Sequence, residues 1–279
     1  MQRSRYFESV FGAQCSGGIF TGVGHGRELR MDADATCRQR FASEEDVGLA
    51  KLDSHAILGG MSRFTHELEF WDSNLATRGG KWNADFESRL DPSSQVADFM
   101  RSKIPDNAQV LDVGAGPLTA IGKWCGNQNI SITAVDPLAQ QYDELLLKHG
   151  IIPLVRTILG YGEALHDQFG SDRFDYVYAQ NSVDHSEDPL SAILEMISVA
   201  KPGCWIALLH HRNEGVRQGY DGMHEWNFDK SGDDLVMWKT GHVHNVTHKV
   251  RHVAECKVSI MDGNLVFAEM RKKKGGEVK

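Results

Sequence analysis

Val110-Leu111-Asp112-Val113-Gly114-Ala115-Gly116-Pro117-Leu118-Thr119 is the stretch on which the reading of this chain turns. An apolar run ends in an acid, turns through two glycines and enters a segment, 117–126, that reads as a helix. A buried strand, a glycine-rich turn and a helix N-terminus together make a nucleotide-binding corner. Gly114 and Gly116 let backbone approach a ligand closely. The dinucleotide fingerprint G-x-G-x-x-G lacks its third glycine, because position 119 is Thr. Asp112 stands just before the turn, where a carboxylate would repel a pyrophosphate. Both departures point away from NAD and toward a cationic nucleotide such as S-adenosylmethionine, which carries an ammonium and a sulfonium.

A second apolar run, Ile130 to Val135, ends in Asp136. A carboxylate at the end of a second strand can accept two hydrogen bonds from ribose hydroxyls, or can cap the helix that starts at Pro137. From residue 108 onward strands and helices alternate. Strands are expected near 108–113, 131–136, 153–157, 174–180 and 203–210. Helices are expected near 117–126, 138–148, 163–169 and 188–200. This alternation predicts an α/β fold with a parallel sheet covered on both faces. Val253 to Met261, the turn Asp262-Gly263-Asn264, and Leu265 to Met270 read as an antiparallel hairpin. The expected architecture is therefore a Rossmann-like, doubly wound, mostly parallel seven-stranded sheet with a reversed terminal strand.

Three regions are expected along the chain: an irregular leader over 1–42, an N-terminal helical segment over 43–104, and a nucleotide-binding domain over 105–279. Ser43-Glu44-Glu45-Asp46 offers a helix cap with acids in the first turn. Gly59-Gly60 is expected to break that helix. A second helix, about 62–78, carries Phe64, Leu68, Trp71 and Leu75 at helical spacing, either to pack on the main domain or to form a lid over its site. A third is expected at about 93–102, before the turn Pro105-Asp106-Asn107.

Bulk properties narrow the partners. The 279 residues carry 41% hydrophobic and 24% charged side chains, ordinary for a globular chain, and a formal net charge of −8. That charge argues against general nucleic-acid affinity; the basic run Arg271-Lys272-Lys273-Lys274 reads as solvated. Five cysteines, with wide spacing and no CxxC pair, fit free thiols in a reducing compartment. No apolar run approaches the ~20 residues of a membrane span, and the first residues do not form a clean signal peptide. A cytoplasmic protein without membrane or nucleic-acid partners is the expectation; the oligomeric state is left open.

Leu111-Asp112-Val113-Gly114-Ala115-Gly116, Ala134-Val135-Asp136-Pro137, Gly162-Glu163-Ala164, Phe174-Asp175-Tyr176-Val177 and Lys201-Pro202-Gly203 occur in order across about 108–270. In these motifs, and in the terminal hairpin, the chain resembles the class I S-adenosylmethionine-dependent methyltransferases. It departs from them at Leu118, where many members have a third glycine, and at Cys204, where a second glycine often follows. The resemblance implies S-adenosylmethionine as cofactor. Gly114 and Gly116 would lie under its methionine part, with Asp112 and Ala115 also cofactor-binding, and Asp136 at its ribose. Pro137 and Leu138 would flank the adenine, with Gly162, Glu163 and Ala164 at its edge.

Acceptor chemistry is sought at the carboxyl edge of the sheet. Asn181 and Ser182 follow the fourth predicted strand and can meet the cofactor. Asp184 and His185 come next, and His185 is a candidate base for a hydroxyl proton, or simply a loop residue before the helix at Pro189. Beyond the fifth strand lie His210 and His211. His224, with Trp226 and Phe228, belongs either to an acceptor site or to a surface insertion. The candidate catalytic residues are His185, Asp184, His211 and His224. Asn181-x-x-Asp184-His185 and His224-x-Trp226-Asn227-Phe228 also look like a subset of methyltransferases associated with surface-glycan synthesis. The expected reaction is O-methylation of a small polar molecule or glycan. N- or C-methylation of a metabolite and a non-catalytic binding module are the alternatives. No residue is assigned to a metal: His242, His244, His248 and His252 have even spacing, but read as the polar face of one strand.

Overall fold

The computed structural model describes residues 54–275, with side chains from Phe64 onward. The expected leader, and the start of the helix expected at Ser43, lie outside the described residues. Seven strands form one sheet: β1 (Gln109–Val113), β2 (Ser131–Asp136), β3 (Thr157–Leu159), β4 (Phe174–Gln180), β5 (Ala200–His211), β6 (Ala254–Met261) and β7 (Leu265–Lys272). Their spatial order is β6-β7-β5-β4-β1-β2-β3. β1 pairs parallel with both β2 and β4, and β7 runs antiparallel between β5 and β6. The expected Rossmann-like sheet with a reversed strand is the observed one. The chain winds outward from β1 through β2 to β3, then returns to β4 beside β1. Ligands of doubly wound sheets bind at such a reversal, outside the carboxyl ends of the strands.

β1 is buried on both faces, and successive side chains feed different cores. Leu111 and Val113 join Val177, Ile193, Met196 and Leu208 on one side. Val110 joins Val96, Met100, Tyr176 and Phe267 on the other. The helix α4 (Pro189–Val199) covers the first face. Its start is specified locally: Pro189 occupies the first turn, and the Asp188 carboxylate accepts the N–H groups of Leu190 and Ser191 at 3.1 and 3.2 Å.

The structure corrects several expectations about local elements. α1 (Ser54–Ala76) runs through Gly59-Gly60 without interruption. Glycine lowers helix propensity by roughly 1 kcal/mol but clashes with nothing, so it weakens a helix without ending it. An unpredicted helix, α2 (Asn83–Leu90), follows, and the third expected helix shrinks to one turn, Asp98–Arg101. The strand expected at 153–157 begins where that range ends. α3 (Ala139–Lys148) matches its expected place. The segment expected over 163–169 divides into a 3-10 turn, Gly162–Ala164, and a short helix, Leu165–Phe169.

The helix expected at 117–126 is absent. Thr119 Oγ1 donates to the buried Asp112 carboxylate at 2.5 Å and accepts the N–H of Ile121. The N–H groups of Lys123 and Trp124 donate to the Ser94 carbonyl. These bonds hold the segment in a series of bends rather than a helix, and Trp124–Cys125 then forms a small hairpin with Gln128–Asn129.

Between β5 and β6 an antiparallel sheet is inserted, made of Asn227–Ser231, Asp234–Lys239 and His242–Asn245. It is no surface decoration, since Phe228, Leu235 and Met237 belong to the core beneath α4. The four evenly spaced histidines do not share a strand. The strand ends at Asn245, whose side chain accepts the His248 N–H and starts the helix Val246–Val250.

α1 docks through Leu75, which is fully buried with Phe86, Leu118, Leu146 and Ile151. Leu75→Ala is expected to lower stability by about 2–4 kcal/mol in urea unfolding. Leu147→Ala, at a position 83% exposed, is expected to stay within ~0.5 kcal/mol of the native chain.

Candidate active site

A cleft of about 510 Å³ opens along the carboxyl edge of the sheet. Val113 and Gly114 contribute from the end of β1, Pro137 from β2, Gly160 to Glu163 from β3, and Ser182, Val183 and His185 to Asp188 from β4. Phe64 of α1 and Met223 of the insertion close it from above. The size suits a nucleotide-sized ligand. Of the expected site residues, Gly114, Pro137, Gly162, Glu163, Ser182 and His185 line the cleft. Asp112, Ala115, Gly116, Asp136, Leu138, Ala164, Asn181, Asp184, His211 and His224 stand behind or beside that lining.

The glycine turn is tied down by its neighbours. Gly114 and Gly116 have φ of 68° and 64°, a region that disfavours side chains. A Cβ on Gly114 would meet Ser182 Cβ at 2.3 Å, and one on Gly116 would meet the Trp71 ring at 2.7 Å. Ser182 donates to the Val113 carbonyl at 2.9 Å, so the ends of β1 and β4 are pinned together. Trp71 of α1 donates its indole N–H to Glu67 at 2.7 Å and packs edge-on against Tyr142. Leu75 of the apolar stripe on α1 anchors the helix on the main domain, and Phe64 lines the cleft.

Asp136 is buried. Its Oδ2 accepts the Gly116 N–H at 3.0 Å and its Oδ1 the Leu138 N–H at 2.9 Å. Each oxygen keeps a second lone pair. Burial raises its carboxyl to about 7, against the two backbone hydrogen bonds that favour the anion. Asp112 lies beneath the turn, raised by burial to about 6, while Thr119 and the charges of Arg89 and Lys123 oppose that shift. Asn181 spends its side chain on β5, where its Oδ1 accepts the His211 N–H at 2.9 Å. His211 meets Asn264 at the reversed strand rather than the cleft, and burial lowers its imidazole below the usual range.

The cleft lining suits a cation. It includes the carboxylates of Glu163, Glu187 and Asp188 and neither Lys nor Arg. A dinucleotide pyrophosphate would meet like charge there, whereas the sulfonium and ammonium of S-adenosylmethionine would be drawn in. Glu163 Oε1 also accepts the N–H groups of Glu187 and Asp188, which fixes the acidic rim.

Behind His185 lies a polar cluster. Asp184 is almost fully buried. Its Oδ2 is 3.2 Å from His224 Nδ1 and 3.5 Å from His185 Nε2, and its Oδ1 is 3.4 Å from His210 Nδ1. His185 Nε2 and His224 Nδ1 are 3.0 Å apart. Burial would raise the Asp184 carboxyl, but the surrounding imidazoles, His185 foremost, hold it well below the usual range. His224 is shifted up: burial opposes its charge, and Asp184 outweighs burial.

His224 reaches this cluster because Asn227, fully buried, ties the insertion together. Its Oδ1 accepts the Val216 N–H at 2.9 Å, and its Nδ2 donates to Tyr220 and to the Trp238 carbonyl. His210 on β5 stacks on Phe228 with ring centroids 4.7 Å apart. Residues that the sequence reading did not assign to the cleft include Phe64, Tyr161, Val183 and Met223. The helical stripe offered a signal for Phe64, whereas nothing local marks Met223.

Residues 111–208 match the family described as methyltransferase domain. No curated protein matches the chain. Among solved structures, the chain is similar to a Thermotoga maritima S-adenosylmethionine-dependent methyltransferase described as a possible histamine N-methyltransferase. The identity is 16%, covering 77% of this chain and 98% of the other, with a TM-score of 0.46. It is also similar to an Aquifex aeolicus S-adenosylmethionine-dependent methyltransferase, at 12% identity, 74% and 97% coverage and a TM-score of 0.41. A third similar structure is a Thermus thermophilus 16S rRNA methyltransferase in complex with S-adenosylmethionine and guanosine. Identity there is 11%, coverage 64% and 39%, and the TM-score 0.39. The family match spans β1 to most of β5, the strands that build the cleft. The matched domain and the Rossmann-like sheet with its reversed strand support an S-adenosylmethionine-dependent methyltransferase.

The buried Asp112 makes stability depend on pH. Its folded-state pKa, about 6, lies above the unfolded value of about 3.9. Its contribution is present below that unfolded value and is lost as pH rises through 6. Asp112→Asn removes the titration. Between pH 4 and pH 7.5 the urea stability of the variant is expected to improve relative to the native chain, by on the order of 3 kcal/mol.

Proposed function

We propose that this methyltransferase acts on a hydroxyl oxygen of a small polar acceptor, carbohydrates included, with the Asp184–His185–His224 cluster removing the hydroxyl proton. The observation that carries this reading is the position of the cluster. It abuts the cleft through His185, at the carboxyl end of β4 beside the glycine turn. An oxygen nucleophile gains from a group that takes its proton as the new bond forms, and imidazoles oriented by a buried carboxylate suit that task.

Bound S-adenosylmethionine would supply a methyl group activated on a sulfonium. The turn Gly114-Ala115-Gly116, with Ser182, would hold its methionine part, and the rim Glu163, Glu187 and Asp188 would attract its positive charge. The spare lone pairs of Asp136 would take the ribose hydroxyls. Pro137, Tyr161 and Val183 offer apolar surface for the adenine, and Phe64 of α1 would cover the cleft and exclude water. Met223 brings apolar area to the cleft beside His224, as a polar acceptor with a flat face requires. The finer likeness of the Asp184-His185 and His224-x-Trp226-Asn227-Phe228 motifs to glycan-associated methyltransferases supports a carbohydrate acceptor.

Calorimetry with S-adenosylmethionine and, separately, with NAD tests the cofactor assignment; labelled-methyl transfer to a panel of sugars, phenols and amines tests the acceptor. His185→Ala is expected to lower kcat on a hydroxyl acceptor by about 10²–10⁴, with the cofactor Kd within a few-fold of the native value. Turnover that survives this substitution would indicate an amine nucleophile. Cofactor binding with no transfer to any acceptor would indicate a binding module.

A further inference from the structure

We infer that Asp184 Oδ2, His185 Nε2 and His224 Nδ1 are the ligands of a divalent transition-metal ion, of the Zn²⁺ type, whose open position faces the cleft and takes the acceptor's hydroxyl oxygen. The inference rests on the reading of the cleft as the methyl-transfer site; with the ion bound, the imidazoles promote loss of the hydroxyl proton through the metal rather than by accepting it themselves.

The three donor atoms form a triangle with edges of 3.0, 3.2 and 3.5 Å. Ligands about 2.0–2.1 Å from one ion are separated by about 3.3 Å in a tetrahedron and about 3.0 Å along an octahedral edge. The observed triangle therefore suits one face of either polyhedron. Protons do not satisfy it. If both facing nitrogens carry a proton, two N–H groups point at each other across 3.0 Å. If only one does, it must choose between Asp184 and the other imidazole, and the remaining lone pair faces the carboxylate. With the Asp184 carboxylate ionised, every placement of protons on the two imidazoles leaves one of the three contacts repulsive, whereas one cation is attracted to all three donors.

Two further observations point the same way. Asp184 Oδ1 and both ring nitrogens of His210 are buried without completing a hydrogen bond, and His210 Nδ1 stands 3.4 Å from that oxygen. A ligating carboxylate commonly turns its second oxygen to an outer partner, and His210 occupies that place. The donors are also drawn together from far apart in sequence, on the β4 loop and the inserted segment, and all three are at least partly shielded. Two imidazoles and one carboxylate select a transition ion over Mg²⁺ or Ca²⁺, which prefer oxygen ligands throughout. His185 lines the cleft, so a ligand entering there reaches the fourth position. On coordination the acceptor's O–H bond breaks, its oxygen stays bound to the ion as alkoxide, and the proton leaves to water.

The test uses the full chain, stripped with a chelator and titrated with Co²⁺ as a coloured probe, then with Zn²⁺ by calorimetry. One equivalent of Co²⁺ is expected, with visible absorption bands of a nitrogen-oxygen site and X-ray absorption showing two imidazoles. His224→Ala and Asp184→Asn are each expected to weaken Zn²⁺ binding by tenfold or more, while His244→Ala leaves it unchanged. Absence of stoichiometric uptake by the native chain overturns the inference, as does uptake that persists undiminished in both ligand variants. S-adenosylmethionine binding is measured on the same stripped protein. Binding and transfer of methyl by a protein that takes up no metal sinks the metal site alone; failure to bind the cofactor sinks the methyl-transfer reading instead.

Discussion

One carboxylate joins the two strand ends on which the cleft is built. Asp136 closes β2, accepts the Gly116 N–H across the turn after β1, and accepts the Leu138 N–H at the start of the next segment. Because β1 and β2 are parallel neighbours in register, Val113 opposite Val135, a short side chain at the end of one strand reaches the turn of the other. The turn then has no room to drift. Gly114 is pressed against Ser182, which bonds back to the Val113 carbonyl, and Gly116 is pressed against Trp71. The strand ends, the roof helix α1 and the cleft lining depend on this arrangement.

The turn needs this support because its usual support is missing. In a doubly wound fold the first strand commonly leads into a helix whose N-terminal amides face the ligand. Here the chain after Gly116 runs through a series of bends, and its amides are spent on Thr119 and on the Ser94 carbonyl. Asp112 and Thr119 hold it so from beneath. The cleft lining carries the carboxylates of Glu163, Glu187 and Asp188 and no Lys or Arg. That balance agrees with a cationic cofactor and disagrees with a pyrophosphate.

The acceptor side follows another logic. Asp184 sits at the end of β4 with almost no exposure, and three imidazoles from three separate stretches surround it. A buried carboxylate is costly unless compensated, so the cluster exists only because β5, the β4 loop and the inserted segment are held together by other contacts. Asn227 and the Phe228–His210 stack supply those contacts. The insertion thus contributes core, rigidity and the His224 member of the buried polar cluster at once.

Much of the fold was legible in the sequence because it depends on short-range signals. The alternation of apolar runs and helical stripes, the Asp188-Pro189 helix start and the Asp262-Gly263 turn each act within a few residues, and their elements stand where expected. Asp136, Gly114 and His185 were legible as candidates because they follow strands, and the structure places them at the sheet's carboxyl edge. The failures have the opposite character. The helix expected at 117–126 lost to bonds from Ser94 and Asp112, and the histidine stripe at 242–252 broke at the Asn245 cap. The approach of His224 to Asp184 needed the insertion to fold back. Local periodicity determined which elements this chain forms and in what order. Only the tertiary structure decided which buried charges meet, because a contact between residues forty positions apart is set by packing, and packing leaves no mark on either local sequence.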